Sequence, residues 1–511
     1  MTSTVPGESQ ESVGQRAAAR HDRSHVRVLF AALAAALMLA TLLLAYGLPL
    51  SGGRLLKPAV GLMPDVPFWS FLLEHRPVSL ESPAVVAALV LAASGLGFLA
   101  CFLGLFLAWR RRDPWIRGLV IGTSIVCTAA TVVAPPNLNS NPYNYMMRAR
   151  VAAAHGGNPY VTPADEFPGD PFMPFANHAY TDTPGGKLPA WMIVNVTIAR
   201  LSGDDVVRNL VSLRFFLFLV GIACIALVSA TARRLAPDQE LAGLVLWAWN
   251  PIVIMNVQTR TDTMMVFYLL LGMFLLACGH RRWAVVPLTL SVFVKIFTIP
   301  FLVVAALSDV RARRWREISI AILIVLATTV IIWLPFREGL DAGVFLKYAN
   351  LASETGGVAD DTGTHWLRLL VRIGFVVLVA FIGWTRRDLA AHLLSGWVLV
   401  SLYFSVFFAK FASSDYLMTL LAITAVVLSG RAVIATAGLS VSFFLFDMWF
   451  LAGTSHFRMP DLFPFARLYV FLIPIVAAGL IGLLLLFRRA PGGGPAPRAR
   501  LPVDRTRTYR T

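Results

Sequence analysis

Stretches of about 20 apolar residues recur along almost the whole chain, each long enough to cross the hydrocarbon core of a bilayer as a helix. They run near 28–47, 83–109, 117–134, 210–231, 240–257, 263–279, 317–335, 366–384, 391–411, 416–430, 432–452 and 467–487. A chain patterned this way cannot fold as a row of soluble domains. Composition agrees: 57% of residues are hydrophobic and 14% charged, where a soluble domain carries about 25% charged residues. Cys101, Cys127, Cys224 and Cys278 all fall inside apolar runs. They read as small packing residues, with neither a disulfide framework nor a metal spacing. No internal repeat points to the inverted halves of a transporter.

The segment 283–308 lies between two arginine clusters, Arg281-Arg282 and Arg311 to Arg316. One long tilted helix would put those clusters on opposite sides of the membrane. Two short helices meeting near Lys295 keep both on one side. The expectation is therefore an all-α polytopic membrane protein of about 14 transmembrane helices, with both termini cytoplasmic. On this layout the whole net charge of +16 falls on the inner side, as the positive-inside rule requires. That placement suits anionic lipid headgroups and argues against a nucleic-acid partner. Residues 1–27 read as a disordered cytoplasmic tail, 28–487 as the transmembrane domain, and 488–511 as a second, basic tail rich in Gly, Pro and Arg.

The outer loops carry the polar chemistry. Residues 49–82 include an amphipathic stretch, PDVPFWSFLLEHRP, and 337–365 hold five acidic residues: Glu338, Asp341, Glu354, Asp360 and Asp361. The longest loop, 135–209, contains two stretches of helical spacing, 142–155 and 188–201, both too short to cross. In the second, Leu188, Trp191, Met192, Val196 and Ile198 share one face. These stretches read as interfacial helices on the outer leaflet. Four charged residues stand at the outer ends of apolar runs: Arg260, Asp262, Lys295 and Asp415. A charge at the centre of a bilayer costs about 2.5–3.5 kcal/mol on insertion scales, and less near the ends. Such groups face a polar cavity, or else Arg260 and Asp262 pair locally, Lys295 snorkels and Asp415 caps a helix.

At these residues the chain resembles the GT-C superfamily of membrane glycosyltransferases, most closely the actinobacterial polyprenyl-phosphomannose-dependent α-mannosyltransferases. The resemblance rests on SNPYNY (140–145), GGNPY (156–160), TPGGKLPAWMIVN (183–195), WNPIVIMNVQTRTDTMM (249–265) and SVFVKIFTIPFL (291–302), taken in that order and spacing. It implies a sugar donor on a polyprenyl phosphate, and inverting transfer at the outer face of the plasma membrane to an envelope glycan or glycolipid. The leaving phosphate is anionic, and Lys295 and Arg260 suit it. Lys187, in TPGGKLPAWM, joins them as a donor-site candidate. Tyr143, Tyr145 and Tyr160 suit stacking on sugar faces, and Asp262 suits orienting a cation or a sugar hydroxyl; Asp415 completes the binding set. No cofactor or metal is expected beyond the lipid-linked substrate.

One position departs from the family pattern. Asn141 stands where a catalytic Asp is usual, and an amide cannot act as a base. The loop offers Asp165, Glu166, Asp170 and Asp182 instead, with Asp170 and Asp182 ranked first because Pro or Gly turns flank them. Two rival readings remain: a non-catalytic or lipid-flipping relative of the same fold, and a secondary transporter. A transporter should place its charges near the midplane on paired broken helices, whereas these cluster at the outer ends.

Overall fold

The computed structural model describes residues 10–47, 64–75, 83–109, 111–135, 141–178, 181–185, 187–338, 414–428 and 430–455, with scattered positions between 374 and 385. The expected spans at 391–411 and 467–487, most of 366–384 and of the acidic loop 337–365, and the tail from 488 lie outside these residues. Among the described residues every regular element is a helix and none is a strand. In chain order they are α1 Gln10–Leu42, α2 Pro67–Glu74, α3 Pro83–Ala108, α4 Pro114–Val133, α5 Asn141–Ala153, α6 Pro189–Ser202, α7 Val206–Leu235 and α8 Glu240–Ala248. There follow α9 Pro251–Asn256, α10 Asp262–Ala277, α11 Arg281–Val294, α12 Ile299–Arg311, α13 Trp315–Trp333, α14 Leu417–Val427 and α15 Gly430–Ser455.

Among the described residues five helices are long and apolar enough to cross a membrane: Ser24–Tyr46, Ala88–Ala108, Pro114–Val133, Val206–Leu235 and Trp315–Phe336. The apolar helices Asp262–Ala277, Leu417–Val427 and Ala432–Phe444 are shorter. α1 reaches back to Gln10, so 10–27 of the expected tail stand in this helix; their Ala, Arg and Gln content favours helix over coil. One expectation needs correction. The run 240–257 is not one span but breaks between α8 and α9. The break falls at Asn250-Pro251, where Asn250 caps α9 by accepting from Ile252 N at 3.0 Å and Pro251 supplies the first helical residue, which needs no N–H partner. The expected break at Lys295 is present. Lys295 has φ −159° and ψ 128°, an extended residue between α11 and the short 3₁₀ turn that leads into α12.

α8 and α14 form the centre of the bundle and are buried on all sides, while α3, α4, α7, α10 and α15 pack around them. Their close approach depends on small residues. A Cβ on Gly243 of α8 would collide with the Ala425 carbonyl oxygen of α14, and one on Gly104 of α3 would meet the Trp249 ring at 3.0 Å. The two juxtamembrane stretches of the long loop form as α5 and α6, packed on each other and on the start of α7. Asp113 caps α4 through the Trp115 and Ile116 amides, and Gly203, at φ +62°, ends α6 in the left-handed region that glycine enters without strain. At the far end of α4, Arg214 of α7 donates to the carbonyls of Ala134, at 2.6 Å, and Thr131. It thereby satisfies acceptors that the helix end leaves open. The amphipathic stretch of the first loop forms α2, pinned by Trp69 Nε1 donating to the Val133 carbonyl at 2.9 Å.

Candidate functional site

Four helix ends converge beside the α5–α6 pair. α9 runs out at Asn256 into a turn carrying Arg260, α10 begins at Asp262, α11 ends at Lys295, and the turn Ser414–Tyr416 leads into α14. The breaks that make these ends place polar side chains where an unbroken helix would need apolar ones. Lys295 Nζ donates to both carboxylate oxygens of Asp262 at 2.9 Å. It also lies 3.7 Å from Asp415 Oδ2 and 4.0 Å from the centre of the Tyr416 ring. Arg260 Nη1 reaches Asp415 Oδ2 at 3.9 Å. The pairing is therefore crosswise between chain segments: Asp262 is held by Lys295, and Asp415 lies within reach of both Lys295 and Arg260. Asp262 is fully buried and Asp415 nearly so. As the first residue of α10, Asp262 also meets the positive end of that helix.

The α5–α6 pair closes over this cluster. Tyr145 of α5 meets Trp191 of α6 edge-on, with ring centres 5.3 Å apart, and Asn195 Nδ2 donates to the Tyr145 carbonyl at 2.7 Å. Burial raises the Tyr145 phenol above its ordinary pKa, against the pull of the Arg260 guanidinium, while Asp415 and Asp262 add to the rise. Lys187, just before α6, sets its ammonium 5.4 Å from the Tyr145 ring centre. The residue as a whole keeps some exposure, but its ammonium is enclosed, and that burial lowers its pKa. The Lys295 cation lowers it further, and Asp262 and Asp415 oppose the shift. Arg148 of α5 is close enough to act on it as well.

Of the residues singled out in the sequence, the structure brings together Tyr145, Lys187, Arg260, Asp262, Lys295 and Asp415. The others stand outside this cluster, Tyr160 touching it only through the Lys187 backbone. Asn141 opens α5, half-buried. Tyr143 is buried and stacks on Phe175 at 5.7 Å. Tyr160 packs between Trp333 and Phe336, at 5.0 and 5.2 Å, and its hydroxyl donates to the Lys187 carbonyl at 2.9 Å. Asp170 is a structural anchor: its carboxylate accepts from Arg150 Nε at 2.8 and 2.7 Å, lies 2.8 Å from His155 Nε2, and takes the Phe172 amide at 2.8 Å. Asp165 and Glu166 are exposed on a short 3₁₀ turn. Asp182 is exposed and accepts from the Thr183 hydroxyl at 2.9 Å. Sequence reasoning missed Tyr416 and Arg148. Tyr416 adjoins Asp415, and Arg148 sits in the run MRARV of a helix otherwise read for its apolar face; neither stands out by itself.

Residues 55–311 match the family model of the alpha-(1->6)-mannopyranosyltransferase N-terminal domain. The chain belongs to this family. Its activity is α-mannosyl transfer, so the mannosyltransferase resemblance is confirmed and the protein is a glycosyltransferase by family. No curated protein and no solved structure matches the chain. The matched span takes in α5, α6, Arg260, Asp262 and Lys295 and ends with α12; Asp415 and Tyr416 reach the same site from beyond it.

Proposed function

We propose that the protein transfers a mannosyl group from a polyprenyl-phosphate donor to a glycan or glycolipid acceptor on the outer face of the plasma membrane. The observation that carries this reading is the charge of the site. Lys295, Arg260, Lys187 and the nearby Arg148 outnumber the two carboxylates, Asp262 and Asp415. A cationic surplus at the buried ends of apolar helices suits a lipid phosphate, since low dielectric strengthens each contact. The Tyr145–Trp191 pair suits a sugar face. In the transfer, an acceptor hydroxyl oxygen attacks the anomeric carbon and inverts it. The bond from that carbon to the phosphate oxygen breaks, polyprenyl phosphate leaves with the electron pair, and the acceptor proton passes to a base.

Asp182 leads the loop carboxylates for that base. It is exposed, lies five residues before Lys187, and has one of its oxygens held by a neutral hydroxyl. Asp165 and Glu166 follow it, and Asp170 would first have to leave Arg150. Asn141 supports a second reading, that of a non-catalytic relative. The test is radiolabelled transfer from polyprenyl-phosphate mannose by the purified protein, with donor binding measured beside it. Lys295→Ala should lose about 10²–10³ in turnover and weaken donor binding, with Lys295→Arg recovering part. Asp182→Asn should lose about 10²–10⁴ in turnover with donor binding intact. Normal donor use by Lys295→Ala would remove the site assignment. An inactive wild type that gains transfer through Asn141→Asp would establish the non-catalytic reading.

A further inference from the structure

At the opposite end of α11 from Lys295, two turns face each other across a pocket of about 720 Å³. One turn, 278–280, joins α10 to α11; the other, 312–314, joins α12 to α13. α11 has 14 residues, so at 1.5 Å per residue the pocket is about 21 Å from the donor site. Its lining includes Arg281, Arg282, Arg313, Arg316, Trp283 and Trp315. Ion pairs staple the two turns together. Arg282 grips Glu317 with two bonds, at 2.8 and 2.6 Å, and Asp309 takes both Arg281 and Arg314. Among the described residues, Arg313 and Arg316 make no ion pair within reach of a carboxylate. Arg313 has φ +53°, a left-handed conformation in which glycine or asparagine would be cheaper. A strained backbone that keeps a guanidinium at a pocket rim points to use of that cation.

Two features identify the occupant. Trp283 and Trp315 are 71% and 62% exposed, although tryptophan side chains on helix ends belong at the headgroup level of a membrane. Immediately beyond the pocket, α13 presents Ile322, Leu323 and Leu326 at 55%, 66% and 58% exposure. An acyl chain rooted in the pocket would run along that face. Guanidinium groups take phosphate oxygens two at a time, and the leaflet that meets a basic face is anionic. We propose that this pocket binds the phosphate of an anionic phospholipid, with the acyl chains along α13.

The probe is a short-chain lipid titrated into the full-length detergent-purified protein and read by tryptophan fluorescence. Dioctanoyl phosphatidylglycerol, dioctanoyl phosphatidylcholine and inorganic phosphate are compared. The glycerol lipid should saturate a shift that the choline lipid produces only at much higher concentration. Loss of one arginine should weaken its binding about fivefold and loss of both about thirtyfold. The variants are Arg313→Gly and the double change Arg313→Gln, Arg316→Gln. Arg313→Gly removes the charge and relaxes the backbone, so weakened binding there cannot come from misfolding. Equal response to the two lipids, or a double variant that titrates like wild type, overturns the proposal. Inorganic phosphate that saturates the shift as tightly as the glycerol lipid assigns the pocket to a free anion and overturns the lipid.

Discussion

Lys187 is the residue at which chemistry and environment pull hardest against each other. Its ammonium is enclosed beside another cation, so its pKa lies below that of an ordinary lysine. The depressed value sets the sign: between it and the ordinary lysine range, the folded protein holds fewer protons than the unfolded chain, so stability rises with pH there. On the proposed function phosphate binding runs the other way, because a phosphate donor held there would need the ammonium. Donor affinity in wild type should therefore fall as pH climbs through that window, earlier than for a site built on ordinary lysines. Lys187→Arg, which keeps its charge, should flatten the profile. Identical profiles for the two proteins would show that Lys187 does not meet the phosphate.

Asp170 poses the opposite case at the same scale. Its carboxylate is fully buried between Arg150 and His155, and Arg150 also holds Asp204 and the Gly203 carbonyl at the α6–α7 junction. Removing one partner of a buried pair strands the other, at about 3–5 kcal/mol. Asp170→Asn should therefore lower the thermal unfolding midpoint and the yield of folded protein. The fraction that does fold should retain donor binding. A variant of wild-type stability that has lost only turnover would make Asp170 the base after all.

At the scale of elements, the α8–α14 contact gives the sharpest expectation. Gly243→Ala pushes a methyl group against the backbone of α14 at Ala425, and backbone cannot swing aside as a side chain can. It should cost more than the usual 1–3 kcal/mol of overpacking. Gly272→Ala, whose new methyl group would meet the flexible Leu288 side chain at 2.6 Å, should cost less. Thermal melts of the two variants decide it, and equal melting would mean that α8 slides to make room. The elements also show how much the sequence revealed. α5 and α6 were legible because short helical spacing stood between Pro and Gly clusters. The Lys295 break was legible because charge sidedness forbade a single helix. The Asn250 break was not, because the cap signal Asn-Pro sits inside an unbroken apolar run. The cluster of Arg260, Asp262, Lys295 and Asp415 could be anticipated, since charge at bilayer depth demands a partner. Its crosswise pairing could not, because the segments carrying Asp262 and Asp415 are far apart in sequence and meet only through the packing of α14. The partners of Asp170 were hidden for the same reason: a turn-flanked acid looks available until Arg150, twenty residues earlier, is seen to hold it.

For the whole molecule, the two polar sites imply a direction. The Lys295 cluster and the α5–α6 pair lie at one end of α11, and the arginine–tryptophan pocket lies at the other. If positive charge faces the cytoplasm, the loop between α5 and α6 faces out and the α12–α13 turn faces in, with both chain termini also inside. Cys101, Cys127 and Cys224 are buried, and Cys278, only partly buried, is the native thiol to replace with serine before labelling. In that background, Asp165→Cys on its exposed 3₁₀ turn should react with a membrane-impermeant maleimide in intact cells. Arg314→Cys in the α12–α13 turn, and Thr508→Cys near the C-terminus, should react only after the membrane is opened. Labelling of Arg314→Cys from outside would invert the molecule. It would place the mannosyl site on the cytoplasmic side, where the donor would have to be presented before any lipid-linked sugar crossed the bilayer.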